Sequence, residues 1–279
     1  MTKEKQSKLK LKLNKRLIIK SIITILLVVI LLFLCYRVIN RIFLKVNFES
    51  NIENLSTLNA STVFSIEKVA LYSSASGVQK EETSSASWIM DISQYTDIAI
   101  YLNSPTSYSD ETAIQALWID SISFVSDITE ESSNQSLNYK NIYEFGKVSD
   151  LTTLTNPFSI SYKILSANQT IDYTKPQMYE TYDNPITLEF VNKNIKENQT
   201  IQNTSDSLEF NGSLLKRANI LLEEITPKMK FTIHILNNLN QEFICNYYLE
   251  VPLKDAEKSI YDGSYYTEIQ NPGLFYRIS

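Results

Sequence analysis

Apolar and polar residues alternate with a period of two in five stretches of the chain. Ile98, Ile100 and Leu102 face one way, with Asp97, Ala99 and Tyr101 opposite. Phe158, Ile160, Tyr162 and Ile164 alternate with Ser159, Ser161 and Lys163, and Ile186, Leu188 and Phe190 follow the turn opener Asn184-Pro185. Met229, Phe231, Ile233 and Ile235 alternate with Lys230, Thr232, His234 and Leu236, and Phe243 to Val251 repeats the pattern. Such alternation is the mark of strands that bury one face. Shorter strand candidates lie at 62–72, 87–92, 206–211 and 265–278. Regular helices between them are absent from the pattern, so it predicts antiparallel pairing rather than βαβ units.

Some passages break the alternation. Leu214, Leu215, Ala218, Leu221, Leu222 and Ile225 recur at helical spacing. They predict one short helix near 213–225, capped by Ser213 and stopped by Pro227. The preceding Asn211-Gly212 is equally a hairpin signal. Within 116–125 the apolar phase slips at Asp120-Ser121, which predicts a bulge. The polar stretches 73–87, 127–141 and 193–205 read as loops.

The first sixty residues follow a different pattern. From Leu17 to Tyr36 the chain carries a single charge, Lys20, in twenty residues. At about 1.5 Å per residue a helix of that length matches the hydrocarbon core of a bilayer. Seven Lys or Arg lie at positions 3–16, against Arg37, Arg41 and Lys45 after the span. This bias places the N-terminus in the cytoplasm and the body outside. The stretch ends in bulky Leu32-Phe33-Leu34-Cys35-Tyr36, without the small residues that signal cleavage requires, so the reading is an uncleaved anchor.

Charge follows the same division. Residues 1–45 hold eleven Lys or Arg against one acid, although the whole chain has a net charge of −5. The basic arm runs straight into the apolar span, which points to anionic lipid rather than nucleic acid. Cys35 in the span and Cys245 in a strand cannot pair. The outer body must therefore hold together without a disulfide, with Cys245 a small core residue.

Catalytic signatures are missing from the sequence. Five glycines in 279 residues leave little room for a phosphate loop, and neither G-x-S-x-G, C-x-x-C nor H-E-x-x-H occurs. His234, the single histidine, falls mid-strand without a supporting motif. The expectation is therefore no catalytic residue, no metal and no cofactor. Aromatic residues remain as ligand candidates. Trp118, Tyr265 and Tyr266 lead, with Trp88, Tyr261, Phe275 and Tyr276 beside them, because such rings can stack on sugars, although strands favour aromatic residues first for core and edge packing.

The fold expectation is thus a mainly β protein. A basic cytoplasmic tail (1–16), a transmembrane helix (17–36) and a juxtamembrane stalk (37–60) precede an antiparallel β-sandwich of jelly-roll or Ig-like kind, divided into lobes at 61–168 and 169–279. The functional expectation is a non-catalytic, single-pass binding, scaffold or assembly component at the cell envelope, in contact with membrane lipid and a protein partner. The alternative is a carbohydrate-binding module for envelope polysaccharide, and a glycan hydrolase using two carboxylates stands third.

Overall fold

The computed structural model describes residues 63–84, 87–125, 134–150, 157–180, 182–202, 208–270 and 273–278. The expected tail, span and stalk, and Cys35, lie outside the described residues. Among those described, no helix is long and apolar enough to cross a membrane.

Eleven strands and three short α-helices are described, besides single 3-10 turns at Ile142–Glu144 and Lys254–Ala256: β1 (Ile66–Ser84), β2 (Ser87–Leu102), β3 (Ile114–Phe124), β4 (Gln135–Tyr139), β5 (Ile160–Leu165), β6 (Gln177–Tyr179), β7 (Ile186–Gln202), α1 (Ser213–Arg217), α2 (Leu222–Ile225), β8 (Lys228–Asn237), β9 (Glu242–Glu250), α3 (Glu257–Tyr261), β10 (Tyr265–Ile269) and β11 (Tyr276–Arg277). They form two sheets, ordered β10-β1-β2-β7-β4 and β11-β9-β8-β3-β5-β6. All pairings are antiparallel except β5 with β6, which run parallel over three residues. The second sheet is therefore mixed, not purely antiparallel.

The alternating residues of β2, β5, β7, β8 and β9 meet in one apolar cluster fed by both sheets. Phe124 of β3 reaches Phe190 of β7 with ring centres 5.7 Å apart, and Tyr139 of β4 meets Tyr162 of β5 at 6.1 Å. The Tyr162 hydroxyl donates to the Thr187 carbonyl of the other sheet at 3.1 Å. Cys245 is buried in this core, and loss of hydration pushes its thiol up to about 12.

The sheets do not divide at residue 168. β7 lies between β2 and β4, and β8 between β3 and β9, so chain from both sides of that boundary shares each sheet. Two of the polar stretches are strand rather than loop. β1 continues to Ser84 and β7 to Gln202, both paired to β2. In 127–141, residues Gln135–Tyr139 form β4. Small polar residues mask the pattern here, and bulges in β7 break its period. Asn194 and Asn198 have φ of 54° and 51°, and their N–H groups donate to Ser93 Oγ and Asp91 Oδ1, both at 2.9 Å. The slip at Asp120-Ser121 is a bulge: register shifts between Asp120 and Ser123, and Ser121 has φ 54°.

The single expected helix is two. Asn219 turns left-handed at φ 52°, Ile220 N–H donates to the Leu215 carbonyl at 2.9 Å and Asn219 N–H to Lys216 at 3.1 Å. That is a Schellman stop, sealed by buried Leu215 and Ile220. Ser213 is the first helical residue rather than the cap, and Asn211 Oδ1 accepts its N–H at 2.9 Å. Asn211-Gly212 forms no hairpin. Gly212 instead presses backbone to backbone on the end of α3, its N–H 2.7 Å from the Gly263 carbonyl. A Cβ there would fall 2.1 Å from the Ile260 carbonyl oxygen. Gly212→Ala is expected to cost at least about 2 kcal/mol, as overpacking against rigid backbone does, measured by chemical denaturation. A change within 0.5 kcal/mol, roughly the range of surface substitutions, would contradict this packing.

Candidate functional site

The outer faces of the two sheets differ. On the first sheet, β2 is buried on both sides from Met90 to Ile100. Residues 140–149 fold across it as a strap. Tyr95 and Val191 form a small second cluster with Tyr72, and Phe145 of the strap packs toward Tyr72 at 6.5 Å. Beneath the strap lie three charged side chains: Lys140 at 2% exposure, with Asp97 and Glu189 at 0%. Lys140 Nζ is 2.8 Å from Glu189 Oε1 and 3.3 Å from Asp97 Oδ1, and it also donates to the Lys147 carbonyl at 2.7 Å and Ser149 Oγ at 2.8 Å. Gly146, at φ 79°, donates its N–H to Asp97 Oδ2 at 2.7 Å.

The second sheet carries an open outer face. Trp118 of β3 pairs in register with His234 of β8, and their rings stack with centres 4.7 Å apart at 13°. His234 Nδ1 is 3.0 Å from Glu242 Oε1 and Nε2 is 3.1 Å from Asp120 Oδ1. A protonated ring donates to both carboxylates, a neutral one to a single partner. Beside this group a shallow depression of about 410 Å3 is lined by Ser121, Ser123, Lys230, Thr232, Asn246 and Tyr248. The Ser121 bulge lies at its edge, where the β3–β8 register shifts before pairing resumes at Ser123 and Lys230.

The aromatic candidates are not brought together. Trp118 is half-buried on the second sheet. Tyr265 is half-buried on β10 of the first sheet and packs against the core. Tyr266 is 56% exposed at that sheet's edge, its hydroxyl donating to Glu268 at 2.9 Å. Trp88 packs against the core, Phe275 is buried in it, and Tyr261 is tied to the Ile220 carbonyl at 2.6 Å. Tyr276 is exposed on β11, in the second sheet.

Sequence reasoning missed a tyrosine notch where the strap meets the 171–179 segment. Tyr143 and Tyr173, 61% and 43% exposed, cross edge to face at 4.6 Å. Tyr139, Tyr179, Asn141, Gln177 and Asn184 complete a cleft of about 40 Å3. Asn141 holds the notch by donating to the Tyr173 carbonyl at 2.6 Å and accepting Tyr143 N–H at 3.0 Å. No local motif announces a site assembled from separate segments.

Among the described residues, no three His, Cys, Asp or Glu are placed to hold a metal. Asp97 and Glu189 are cross-strand partners, yet they lie under the strap and not in a groove. The chain matches no family model, no curated protein and no solved structure.

The His234–Trp118 stack has a direct readout. With Trp88→Phe leaving Trp118 as the sole indole, His234→Leu is expected to raise Trp118 emission by removing a stacked imidazole. Unchanged emission from the folded variant would contradict the stack.

Proposed function

We propose that this protein is a non-catalytic, membrane-anchored β-sandwich of jelly-roll or Ig-like kind that binds a partner protein at the outer face of the cell envelope, as a scaffold or assembly component. The apolar span Leu17–Tyr36 and the basic tail before it support the anchoring and the orientation. The observation that carries the binding role is the open outer face of the second sheet. It offers a ring stack, a lysine, an amide, hydroxyls and the half-exposed Tyr248, a mixture suited to a polar, partly aromatic protein contact.

Crosslinking in intact membranes tests this. A photoreactive residue at Tyr248 is expected to trap a discrete protein partner, and one at the exposed Glu257 is not. Absence of an adduct at Tyr248, or the same adducts at both positions, would contradict the reading.

The carbohydrate-binding alternative is favoured by the notch rather than by the aromatics first named. Exposed Tyr143 and Tyr173 beside amide side chains offer rings and hydrogen-bonding groups together. It predicts saturable sedimentation of the full chain with envelope polysaccharide, weakened at least tenfold by Tyr143→Ala or Tyr173→Ala and unchanged by Tyr265→Ala in a folded protein. Equal binding by all three variants would remove the notch as a sugar site.

A further inference from the structure

Lys140, Asp97 and Glu189 sit on three neighbouring strand paths of the first sheet. Asp97 lies on β2 and Glu189 opposite it on β7. Lys140 directly follows β4, its N–H bonded to the Thr187 carbonyl at 3.2 Å and its carbonyl accepting from Thr187 Oγ1. The lysine side chain therefore crosses β7 to reach β2. All three groups are shut off from water, and the Tyr95 ring lies 6.0 Å from Nζ.

We propose that Lys140 and Asp97 become joined by an intramolecular amide between Nζ and Cγ, with Glu189 as the proton carrier. The geometry supplies each part of the reaction. Nζ lies 3.3 Å from Asp97 Oδ1, within reach of the carboxyl carbon after a small side-chain shift. Gly146 N–H at Oδ2 polarises the carboxyl and stabilises negative charge developing there. Glu189 Oε1, 2.8 Å from Nζ, is placed to receive its proton. Glu189 Oε2 is buried without a hydrogen bond, and Asp97 Oδ1 has only the 3.3 Å ion pair with Lys140, so the uncondensed cluster is incompletely satisfied. Burial raises the Asp97 carboxyl to about 7, so the acid form that carries a leaving hydroxyl is available near neutral pH.

The step balances without an oxidant or co-reactant. Glu189 carboxylate takes a proton from the Lys140 ammonium and frees the nitrogen lone pair. Nζ attacks Cγ of the Asp97 acid, and the N–C bond forms as the carbonyl electrons move to Oδ2. Glu189 then gives its proton to the departing hydroxyl and takes one from nitrogen. The C–OH bond breaks, water leaves, and a neutral amide remains beside a protonated Glu189. An ammonium and a carboxyl are thereby removed from the interior, and β2 is stapled to β4 across β7. Such a cross-link serves a body that has no disulfide among its described residues.

Intact mass of the full chain, purified in detergent, tests the proposal. The wild-type protein is expected to be lighter than its sequence by one water. Trypsin would not cut after Lys140, and fragmentation would place the branch between Lys140 and Asp97. Glu189→Ala, checked for folding by circular dichroism, is expected to show its full sequence mass and normal cleavage. A folded wild type at full mass would overturn the proposal, and this measurement decides even if the variant fails to fold. A branch at Glu189 would overturn the choice of Asp97, and a bond retained in folded Glu189→Ala would overturn the role of Glu189.

Discussion

Two carboxylates and one ammonium lie out of water on the outer face of the first sheet, and much of the molecule is arranged around them. Removing an ion from water costs several kcal/mol even after the protein relaxes. Asp97 and Glu189 are direct cross-strand neighbours, so their like charges add to that cost. Lys140 answers both, and Lys147, Ser149 and Gly146 supply further hydrogen bonds from a single segment. Taking away the lysine alone would leave two uncompensated acids, the strongly destabilising case for buried charge. The strap is therefore the cover that the charged cluster requires.

This constraint makes the two outer faces unequal. The first is sealed over β2 and β7, and the seal carries Tyr143 to the rim, where it meets Tyr173. The second stays in contact with solvent, and its charged groups pair in the open, as Lys228 does with Glu250 at 3.8 Å. His234 lies between Asp120 and Glu242, and the exposed ion pairs elsewhere, such as Lys175 with Asp172, are each worth little. One wired face and one open face give the proposed partner contact a defined side. The proposed contact through the second sheet and the proposed amide beneath the strap are independent: either stands if the other falls.

How much of this the sequence carries depends on where the covering comes from. In β8 and β9 one face meets core and the other meets water, so the alternation from Met229 to Ile235 and from Phe243 to Val251 maps directly onto burial. In β2 and β7 the same alternation correctly puts Asp97 and Glu189 away from the apolar core. It gives no sign that residues more than forty positions away close over them. The extensions of β1 and β7 read as loops because Ser, Gly, Lys and Asn fill them, and the partner strand β2 supplies the apolar content. Asn219 ends a helix whose apolar spacing runs on past it, since the stop lies in a backbone angle rather than in hydrophobicity. Trp118 was legible as an aromatic candidate; its histidine partner was not, because a cross-strand neighbour depends on register.

The sealed face is the part of the account from which the rest follows, and amide hydrogen exchange of the full chain tests it most directly. The Gly146 N–H sits in a strap, where an ordinary surface loop would exchange quickly. Bonded to Asp97 beneath a closed cover, it is expected to exchange as slowly as the β2 amides of Ile98 and Ile100. Exchange of Gly146 at the rate of an open loop, with β2 still protected, would show that the strap does not seal the charges and would contradict the account.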